Sequence, residues 1–439
     1  MKKCKPFNLK KLLILNYSFL IALSATAQTI SESANKILLQ DSSISAGHIG
    51  ISIYEPATDQ YWYNYNATQY FVPSSNTKLF SLYAGMKYLG DSLKGIAYSV
   101  SMTDEDTVLT IYPTGDPSFL HPDFKRQPVF DFLKGYKYIV VSPVQSPTPW
   151  GKGWVWDDYK ESFMVARSIL PLYGNIVKAK WIDKESISMM PAFFVARVET
   201  ELTDGLELIK DINSNDLYFV NGNEKNMDIP FTPDITTDIQ LLTDTLHNKN
   251  IGRANEFASP SDIPHNYIYT QPTDSLFKIM MHRSDNFFAE QTLLMVSNER
   301  LGYMNDEDII DTLLNNDLKD VPQRPKWVDG CGLSRYDLFT PEDFVYIINK
   351  MKAEFGLKRL ELILPTGNEG TLKDYYVKDN GSIYAKTGSM SNHFSLSGIL
   401  ITKKNKTLVF SILVNDFPTS GTPVKRAIEQ FLEEIREKN

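Results

Sequence analysis

Three short motifs, far apart in the chain, constrain how it can fold more than any other feature of the sequence. They are Ser75-Asn76-Thr77-Lys78, Ser284-Asp285-Asn286 and Lys386-Thr387-Gly388. Each motif alone is weak, because a serine three residues before a lysine occurs by chance in most chains of this length. A fold that uses all three must bring them together across two long intervening stretches, residues 79–283 and 287–385.

The amino-acid composition is typical of a globular protein and argues against several functional classes. The 439 residues are 42% hydrophobic and 12% aromatic, which is enough for two or three domains with their own cores. A formal net charge of −8 argues against a nucleic-acid-binding surface. The six histidines show no metal-ligand spacing, so we predict neither a metal site nor a cofactor. The sequence leaves the oligomeric state open.

The first residues have the pattern of an export signal. A lysine-rich start precedes an apolar run at 12–23, and an Ala-Thr-Ala site at 25–27 predicts cleavage before Gln28. The alternative is a retained anchor, although the apolar run is short for a membrane span. With residues 1–27 removed as a signal peptide, only Cys331 of the two cysteines remains, so no internal disulfide can form. The prediction is an exported, periplasmic protein, with peripheral membrane association left open.

Strand and helix signals predict an α+β protein with an insertion. Alternating apolar residues predict strands near 50–54, 61–65, 382–386, 394–402 and 407–414. Thr340-Pro341-Glu342-Asp343 is a strong helix start, with a capping threonine and a first-turn proline. Strand and turn signals dominate between 96 and 271. We therefore predict a catalytic domain from 28–95 and 272–439, and an inserted β-rich region at 96–271.

The first motif suits nucleophilic catalysis. A serine hydroxyl needs a base within hydrogen-bond reach, and residues three apart on a helix share one face, so Lys78 can lie beside Ser75. Burial and a second cation, Lys386, would lower the pKa of Lys78 enough for it to accept a proton. Ser74 is the rival nucleophile, but its spacing from Lys78 is four residues. Ser75 is the predicted nucleophile.

The other two motifs supply a proton route and a binding strand. Ser284 would relay a proton toward the leaving group, and Asn286 would hold the substrate amide and Lys78. The third motif ends a β-branched, aromatic segment, which predicts an edge strand able to pair with an extended peptide. Lys386 and Thr387 would bind a terminal carboxylate there.

Two small residues complete the predicted binding strand. Gly388 would let a substrate backbone approach closely. The backbone N–H groups of Ser389 and Ser75 would form an oxyanion hole.

Each element also has an ordinary structural explanation. These are a helix-capping serine with a surface lysine, a polar turn, and a lysine that ends a strand. Taken singly, these explanations are the more frequent ones. They do not account for the three motifs in this order, which is the pattern of enzymes that acylate a serine.

Further motifs resemble one family, the class C low-molecular-mass penicillin-binding proteins, a D-alanyl-D-alanine carboxypeptidase/endopeptidase group. The similarity extends from about residue 40 to the C-terminus. The residues that carry it are Pro73–Lys78, Gly115-Asp116-Pro117, the 153–158 stretch Gly-Trp-Val-Trp-Asp-Asp, the 284–290 stretch that ends Ala289-Glu290, the 329–335 stretch Asp-Gly-Cys-Gly-Leu-Ser-Arg, and Ala385–Gly388. Residues 76–283 also make the first gap much longer than in ordinary class A β-lactamases.

The resemblance implies a penicillin-binding transpeptidase/β-lactamase-like domain, with an antiparallel sheet flanked by helices. It implies an exported serine-type carboxypeptidase that acts on peptidoglycan stem peptides and is inhibited by penicillin, with cleavage of D-alanyl cross-links left open. Peptidoglycan peptides and β-lactams would be its partners. Asp158 would bind the free amino group of a diaminopimelate side chain.

The chain departs from the family pattern at Cys331, which stands where a serine is usual. We interpret it as a small buried residue rather than a reactive thiol. Two alternatives for function remain: an esterase or D-aminopeptidase with the same three motifs, and a catalytically silent wall-binding protein.

Overall fold

A computed structural model describes residues 30–103, 106–184, 186–194, 196–199, 201–212 and 214–439. The predicted signal peptide at 1–27 lies outside these residues. Across the described ranges, which omit the first 29 residues and six internal positions, no helix is both long and apolar enough to cross a membrane. The described chain forms two compact units, 30–73 with 338–357 and 365–439, and 74–337 with 358–364.

The strands are numbered in chain order. They are β1 His48–Glu55, β2 Gln60–Tyr65, β3 Ser92–Met102, β4 Thr107–Pro113, β5 Tyr138–Val141, β6 Ile176–Asp183, β7 Ser186–Met190, β8 Ala196–Val198, β9 Leu206–Lys210, β10 Leu217–Asn221, β11 Asn226–Pro230, β12 Ile251–Arg253, β13 Tyr267–Pro272, β14 Ile383–Met390, β15 His393–Ile401 and β16 Thr407–Asn415.

The helices follow the same convention. They are α1 Lys78–Tyr88, α2 Pro128–Leu133, α3 Ile235–Leu246, α4 Thr273–Arg283, α5 Asn286–Leu301, α6 Asp306–Asn315, α7 Pro341–Phe355, α8 Leu357–Ile363 and α9 Gly421–Lys438. A π-helical turn at Asn35–Leu39 and several 3₁₀ turns complete the described secondary structure.

The first unit is a five-stranded antiparallel sheet in the order β14-β15-β16-β1-β2. Successive side chains of a strand point to opposite faces, so Ile49, Ile51 and Ile53 of β1 line one face together. They join a core with Phe431 and its neighbours on α9. Residues 408–415 of β16 are all buried, as expected for a central strand covered on both faces.

Helix α7 packs against β16, β1 and β15, and it begins as the sequence predicts. Thr340 accepts a hydrogen bond from the backbone N–H of Asp343, and Asp343 accepts one from the N–H of Thr340. Pro341 occupies the first turn, where a missing N–H costs nothing. This reciprocal cap fixes the start of the helix that covers the sheet.

The second unit is built around α5, whose residues 287–297 are all buried. Helices α1, α4 and α6 pack against α5. The strands from β3 to β13 form one five-stranded sheet, β12-β5-β4-β3-β13, and two three-stranded sheets, β8-β10-β9 and β11-β6-β7. The predicted α+β class, with an antiparallel sheet and helices, is confirmed. The division into a 28–95 plus 272–439 domain and a 96–271 insertion stays a prediction.

Substitution of Phe431 tests how much α9 contributes to the core of the first unit. Its side chain is fully buried, so Phe431→Ala should lower the free energy of unfolding by about 3–5 kcal/mol. Gln430, the exposed residue before it on the same helix, is the matched control, and Gln430→Ala should change stability by less than about 0.5 kcal/mol. Urea unfolding followed by circular dichroism measures both. Equal destabilisation by the two variants would contradict this account of the core.

Candidate active site

Ser75 and Lys78 meet at the start of α1. Ser75 lies in the 3₁₀ turn Ser74–Thr77, and Lys78 is the first residue of the helix that follows. The helical backbone turns both side chains to one side, and the Lys78 Nζ lies 2.9 Å from the Ser75 Oγ. Ser75 remains half-buried, whereas Lys78 is fully buried. The pair has the separation that proton transfer requires.

Two further acceptors hold the Lys78 amine. Its Nζ donates to Asn286 Oδ1 at 2.6 Å and to the Cys331 backbone carbonyl at 2.7 Å. An ammonium group has three donors, and these two acceptors with Ser75 Oγ use all three. Burial lowers the pKa of Lys78 from its ordinary value, while Cys331 and the carboxyl groups of Asp329, Asp285 and Glu290 act in the opposite direction. The burial that the base requires is therefore present.

The second motif lies at the junction of two helices. Ser284 ends α4 in the left-handed region, with φ 61° and ψ 42°. Asp285 caps α5 by accepting a hydrogen bond from the Phe288 N–H at 2.8 Å. Asn286 begins α5, and its Nδ2 donates to the Phe163 carbonyl at 2.9 Å. That bond orients the Asn286 amide so that its oxygen faces Lys78.

Asp329 shapes the turn that presents the Cys331 carbonyl to Lys78. Its Oδ1 accepts from the Gly332 N–H at 2.6 Å, and its Oδ2 accepts from the Ser334 N–H at 2.7 Å and from Trp154 Nε1 at 2.8 Å. Asp329 belongs to the 329–335 motif that resembles the family pattern, but its role in this turn was not predicted. Its position two residues before Cys331, in an Asp-Gly-Cys-Gly turn, was the available signal.

Only glycine can occupy position 332 in this turn. Its φ is +83°, and a Cβ there would lie 1.9 Å from the Ser74 carbonyl oxygen. The turn can therefore pass directly over the 3₁₀ turn that carries Ser75 only because residue 332 lacks a side chain.

A buried ion cluster ties the 148–168 stretch to α5 and α6. The Arg167 Nη1 lies 3.3 Å from Glu290 Oε2 and 2.6 Å from Asp306 Oδ2. Arg167 also donates to Thr148 and to the Trp150 carbonyl. Burial raises the pKa of Glu290 to about 7, with Asp329 adding to the effect. Through these contacts the cluster fixes the stretch that contains Phe163. The sequence patterns did not predict this cluster.

Glu290, Asp329 and Cys331 bring three ligand-type atoms within 4.8 Å of one another. Both oxygens of Asp329 already accept backbone or indole N–H groups. Burial raises the pKa of the Cys331 thiol well above its ordinary value, and the thiol donates to Asp329 Oδ2 at 3.6 Å. The cluster fits a hydrogen-bonded support for Lys78 rather than a metal site, and Cys331 is the small buried residue expected.

The third motif lies in the first unit, on β14. This strand is at the edge of its sheet and pairs with β15, with Lys386 opposite Ser397 and Gly388 opposite Ser395. The Lys386 side chain is fully buried, and its Nζ donates to the Thr387 carbonyl at 2.6 Å. Ser389 is exposed. The edge strand is as expected, and the binding roles of these residues stay predictions.

Asp158 lies on the 3₁₀ turn Trp156–Asp158 in the second unit and is half-buried. Its backbone N–H donates to the Val155 carbonyl, and its carbonyl accepts from the Glu161 N–H. The turn precedes Phe163, the partner of Asn286, by a few residues. The amine-binding role of the Asp158 carboxylate stays a prediction.

Comparisons with known proteins identify the family and the fold. The sequence model of the family described as D-Ala-D-Ala carboxypeptidase 3 (S13) matches residues 31–190 and 248–438. A penicillin-sensitive carboxypeptidase A from Dictyostelium discoideum is 30% identical over 115 residues, which are 24% of this chain and 22% of the relative. The chain thus spans under a quarter of that curated relative's length.

Two solved structures are similar in fold. Penicillin binding protein 4 from Haemophilus influenzae has a TM-score of 0.73 at 19% identity, over 93% of this chain and 99% of that chain. A predatory peptidoglycan endopeptidase from Bdellovibrio bacteriovorus has a TM-score of 0.53 at 13% identity, over 88% of this chain and 92% of that chain. Together with the family match they confirm the predicted family and fold. Because its sequence model covers well over half of the residues, the chain belongs to the D-Ala-D-Ala carboxypeptidase 3 (S13) family.

Proposed function

We propose that this protein is a serine-type carboxypeptidase that removes the terminal D-alanine from peptidoglycan stem peptides. The observation that carries the proposal is the fully buried Lys78 amine, 2.9 Å from the Ser75 hydroxyl. Burial lowers the pKa of this amine and so increases the fraction of the neutral form, which is the form that accepts a proton. Ser75 and Lys78 are thus the proposed nucleophile and base.

The first half-reaction transfers the acyl group to the enzyme. Lys78 takes the proton of Ser75 as its oxygen attacks the penultimate D-alanyl carbonyl, and a tetrahedral intermediate forms. The backbone N–H groups of Ser75 and Ser389 are the proposed donors to its oxyanion. A single such donor is typically worth about 100- to 1000-fold in rate. Ser284 then passes a proton to the amide nitrogen and is reprotonated by the Lys78 ammonium, the C–N bond breaks, and D-alanine leaves.

The second half-reaction releases the acyl group. Water attacks the acyl-enzyme and gives a proton to the neutral Lys78. Lys78 returns that proton to Ser75 Oγ as the Ser75–acyl bond breaks and the shortened peptide leaves. Asn286 is proposed to hold the substrate amide through the N–H of its Nδ2 that does not bond Phe163, while its Oδ1 accepts from Lys78. Lys386, Thr387 and Gly388 are proposed to bind the substrate's terminal carboxylate and backbone. Asp158 is proposed to bind the free amine of a diaminopimelate side chain.

Penicillin resembles the D-alanyl-D-alanine end of the substrate and would acylate Ser75 in the same way. A Bdellovibrio endopeptidase similar in fold, with a TM-score of 0.50, has a structure described as acylated by penicillin G. The proposed substrate, peptidoglycan, lies outside the cytoplasmic membrane, so we propose that the protein is exported. The pattern at 1–27 supports that proposal.

A purified muropeptide digest read by mass spectrometry tests the reaction. Loss of one D-alanine from a pentapeptide stem is the expected result. An esterase or D-aminopeptidase would leave the pentapeptide unchanged while hydrolysing an ester or an N-terminal D-residue. A wall-binding protein without catalysis would release no D-alanine and bind no penicillin covalently. Either of these results would contradict the proposal.

Labelling with a fluorescent penicillin identifies the nucleophile. Ser75→Ala should abolish the label, because the acyl-enzyme bond is to Ser75 Oγ. Ser74→Ala is the matched control, since the buried Ser74 hydroxyl makes no hydrogen bond with the described residues. It should keep the label, read by in-gel fluorescence. Persistent labelling of Ser75→Ala would show that another residue is acylated.

The pH dependence of acylation should follow the Lys78 amine. Burial lowers its pKa, so the neutral amine forms below the ordinary lysine value of 10.5, and the labelling rate should rise with pH through that lower midpoint to a plateau. Stopped-flow measurements of the penicillin acylation rate against pH test this. Lys78→Met should lose the rising limb and most of the rate. A midpoint at or above the ordinary value in the wild-type protein would be inconsistent with Lys78 as base.

A further inference from the structure

Two histidines and an aspartate meet at one end of the five-stranded sheet of the first unit. His48 begins β1, His393 begins β15, and Asp416 directly follows the last residue of β16. The His48 Nε2 lies 3.9 Å from Asp416 Oδ2, and the His393 Nε2 lies 3.8 Å from Asp416 Oδ1. None of the three residues has a role in the proposed acyl transfer.

The register of the sheet places both histidines on one face. Strand β16 lies between β1 and β15, and its Asn415 is the register partner of His48 on one side and of His393 on the other. Side chains directly opposite each other in neighbouring strands point to the same face of a sheet. The two imidazoles therefore lie on the same side of the sheet as the Asn415 side chain.

Asp416 reaches that face because β16 ends before it. In a continuing strand its side chain would point to the face opposite that of Asn415. Its φ is +60°, a left-handed conformation that breaks the alternation and that aspartate adopts more readily than most residues. The carboxylate thereby turns one oxygen toward each imidazole.

The tautomer of His393 suits a metal ligand. Its Nδ1 lies 2.7 Å from the Ser391 carbonyl oxygen. A carbonyl oxygen can only accept a hydrogen bond, so Nδ1 carries the hydrogen, and in the neutral imidazole the lone pair is on Nε2. Nε2 is the atom that faces Asp416. A hydrogen bond from the other ring nitrogen to a backbone carbonyl is a usual feature of metal-binding histidines.

The separations within this group also suit a metal ion. Distances of 3.8 and 3.9 Å are too long for N–H···O hydrogen bonds, which are about 2.7–3.2 Å. Two ligand atoms that each lie about 2.1 Å from a tetrahedral Zn²⁺ are about 3.4 Å apart. The side chains of His48 and Asp416 are 75% and 64% exposed, so they can rotate to close the remaining difference.

The backbone around the group is fixed by contacts within the first unit. The Asn415 side chain accepts from the Val72 N–H at 2.8 Å and donates to the Val72 carbonyl at 3.1 Å. The Phe417 N–H donates to the Asn392 carbonyl, which ties the residue after Asp416 to the β14–β15 turn. Protein contacts thus hold the three strand ends together, and a metal would bind to a preformed frame.

We propose that His48, His393 and Asp416 bind one Zn²⁺ ion, with water as the fourth ligand. Two imidazoles and one carboxylate are a donor set that this metal takes in proteins, whereas Ca²⁺ and Mg²⁺ prefer oxygen ligands alone. The site goes beyond the proposed function, because it takes no part in the acyl transfer by Ser75. Spacing in the sequence indicated no metal site, since these ligands come from the ends of three different strands.

A metal at this place would act on the hairpin that carries the predicted binding strand. His393 pairs with Met390 across the β14–β15 turn, and Ser389, the proposed oxyanion donor, is next to Met390. Ligation of His393 would restrain this hairpin by connecting it to β1 and to the end of β16. The role is therefore structural, and its direct readouts are metal binding and thermal stability.

Isothermal titration with ZnCl₂ tests the proposal on untagged protein that has been stripped with EDTA. One Zn²⁺ per chain is the expected stoichiometry. His48→Asn, His393→Asn and Asp416→Asn should each weaken Zn²⁺ binding by at least about 100-fold, because losing only the hydrogen-bond partner of a ligand already costs roughly 10- to 100-fold. His265, an exposed histidine of the second unit, provides the matched control, and His265→Asn should bind Zn²⁺ as the wild type does.

Thermal unfolding gives a second measurement. Zn²⁺ should raise the melting temperature of the wild type and of His265→Asn, and should leave that of the three ligand variants unchanged, because a ligand stabilises only the state that binds it. The His48 side chain is 75% exposed, so His48→Asn should melt at the wild-type temperature in EDTA. That variant therefore separates loss of the metal from loss of the fold.

Two results would overturn the inference. One is a wild-type protein that binds no Zn²⁺, and the other is wild-type affinity that survives any one of the three ligand substitutions. Neither bears on the proposed function, because these measurements do not depend on D-alanine release or penicillin labelling.

Discussion

The buried amine of Lys78 is the constraint on which the rest of the second unit depends. Its three acceptors come from the turn before α1, the start of α5 and the Asp329–Ser334 turn. All three are uncharged oxygens, and a buried ammonium without a carboxylate in contact is costly. The structure therefore lowers the pKa of the lysine rather than pairing its charge. A shift in any of the three segments leaves a buried donor without an acceptor.

The carboxylates near Lys78 are not hydrogen-bond acceptors of its amine. They hold in place the backbone segments that carry those acceptors. Asp329 orders the turn that presents the Cys331 carbonyl, and Asp285 caps the helix that presents Asn286. Glu290 pairs with Arg167, which in turn holds the 148–168 stretch and hence the Phe163 partner of Asn286. Since each carboxylate is already hydrogen-bonded or paired, none needs to compete for the lysine. The amine is left to the nucleophile, which is what a general base requires.

Local sequence patterns predicted the parts of the structure that depend on interactions between residues close together in the chain. Thr340 and Pro341 begin α7 because a side-chain cap and a fixed φ act within one turn. The strands near 50, 61, 394 and 407 were found because alternation reports burial on one face of a sheet. The left-handed backbone of Ser284 was not predicted, since a non-glycine residue takes it only where the surrounding fold holds it. Nor was the Arg167 cluster, because the arginine is more than a hundred residues from both of its carboxylate partners.

By itself, then, the sequence determined which residue types the chemistry uses and which family the chain belongs to. A serine three residues before a lysine at a helix start is enough to set that pair side by side. Only the tertiary structure decided that the Cys331 carbonyl is the third acceptor for Lys78. The physical reason is the distance along the chain over which each interaction acts. Helix geometry acts over three or four residues, whereas hydrogen bonds between distant segments exist only after the core has closed around them.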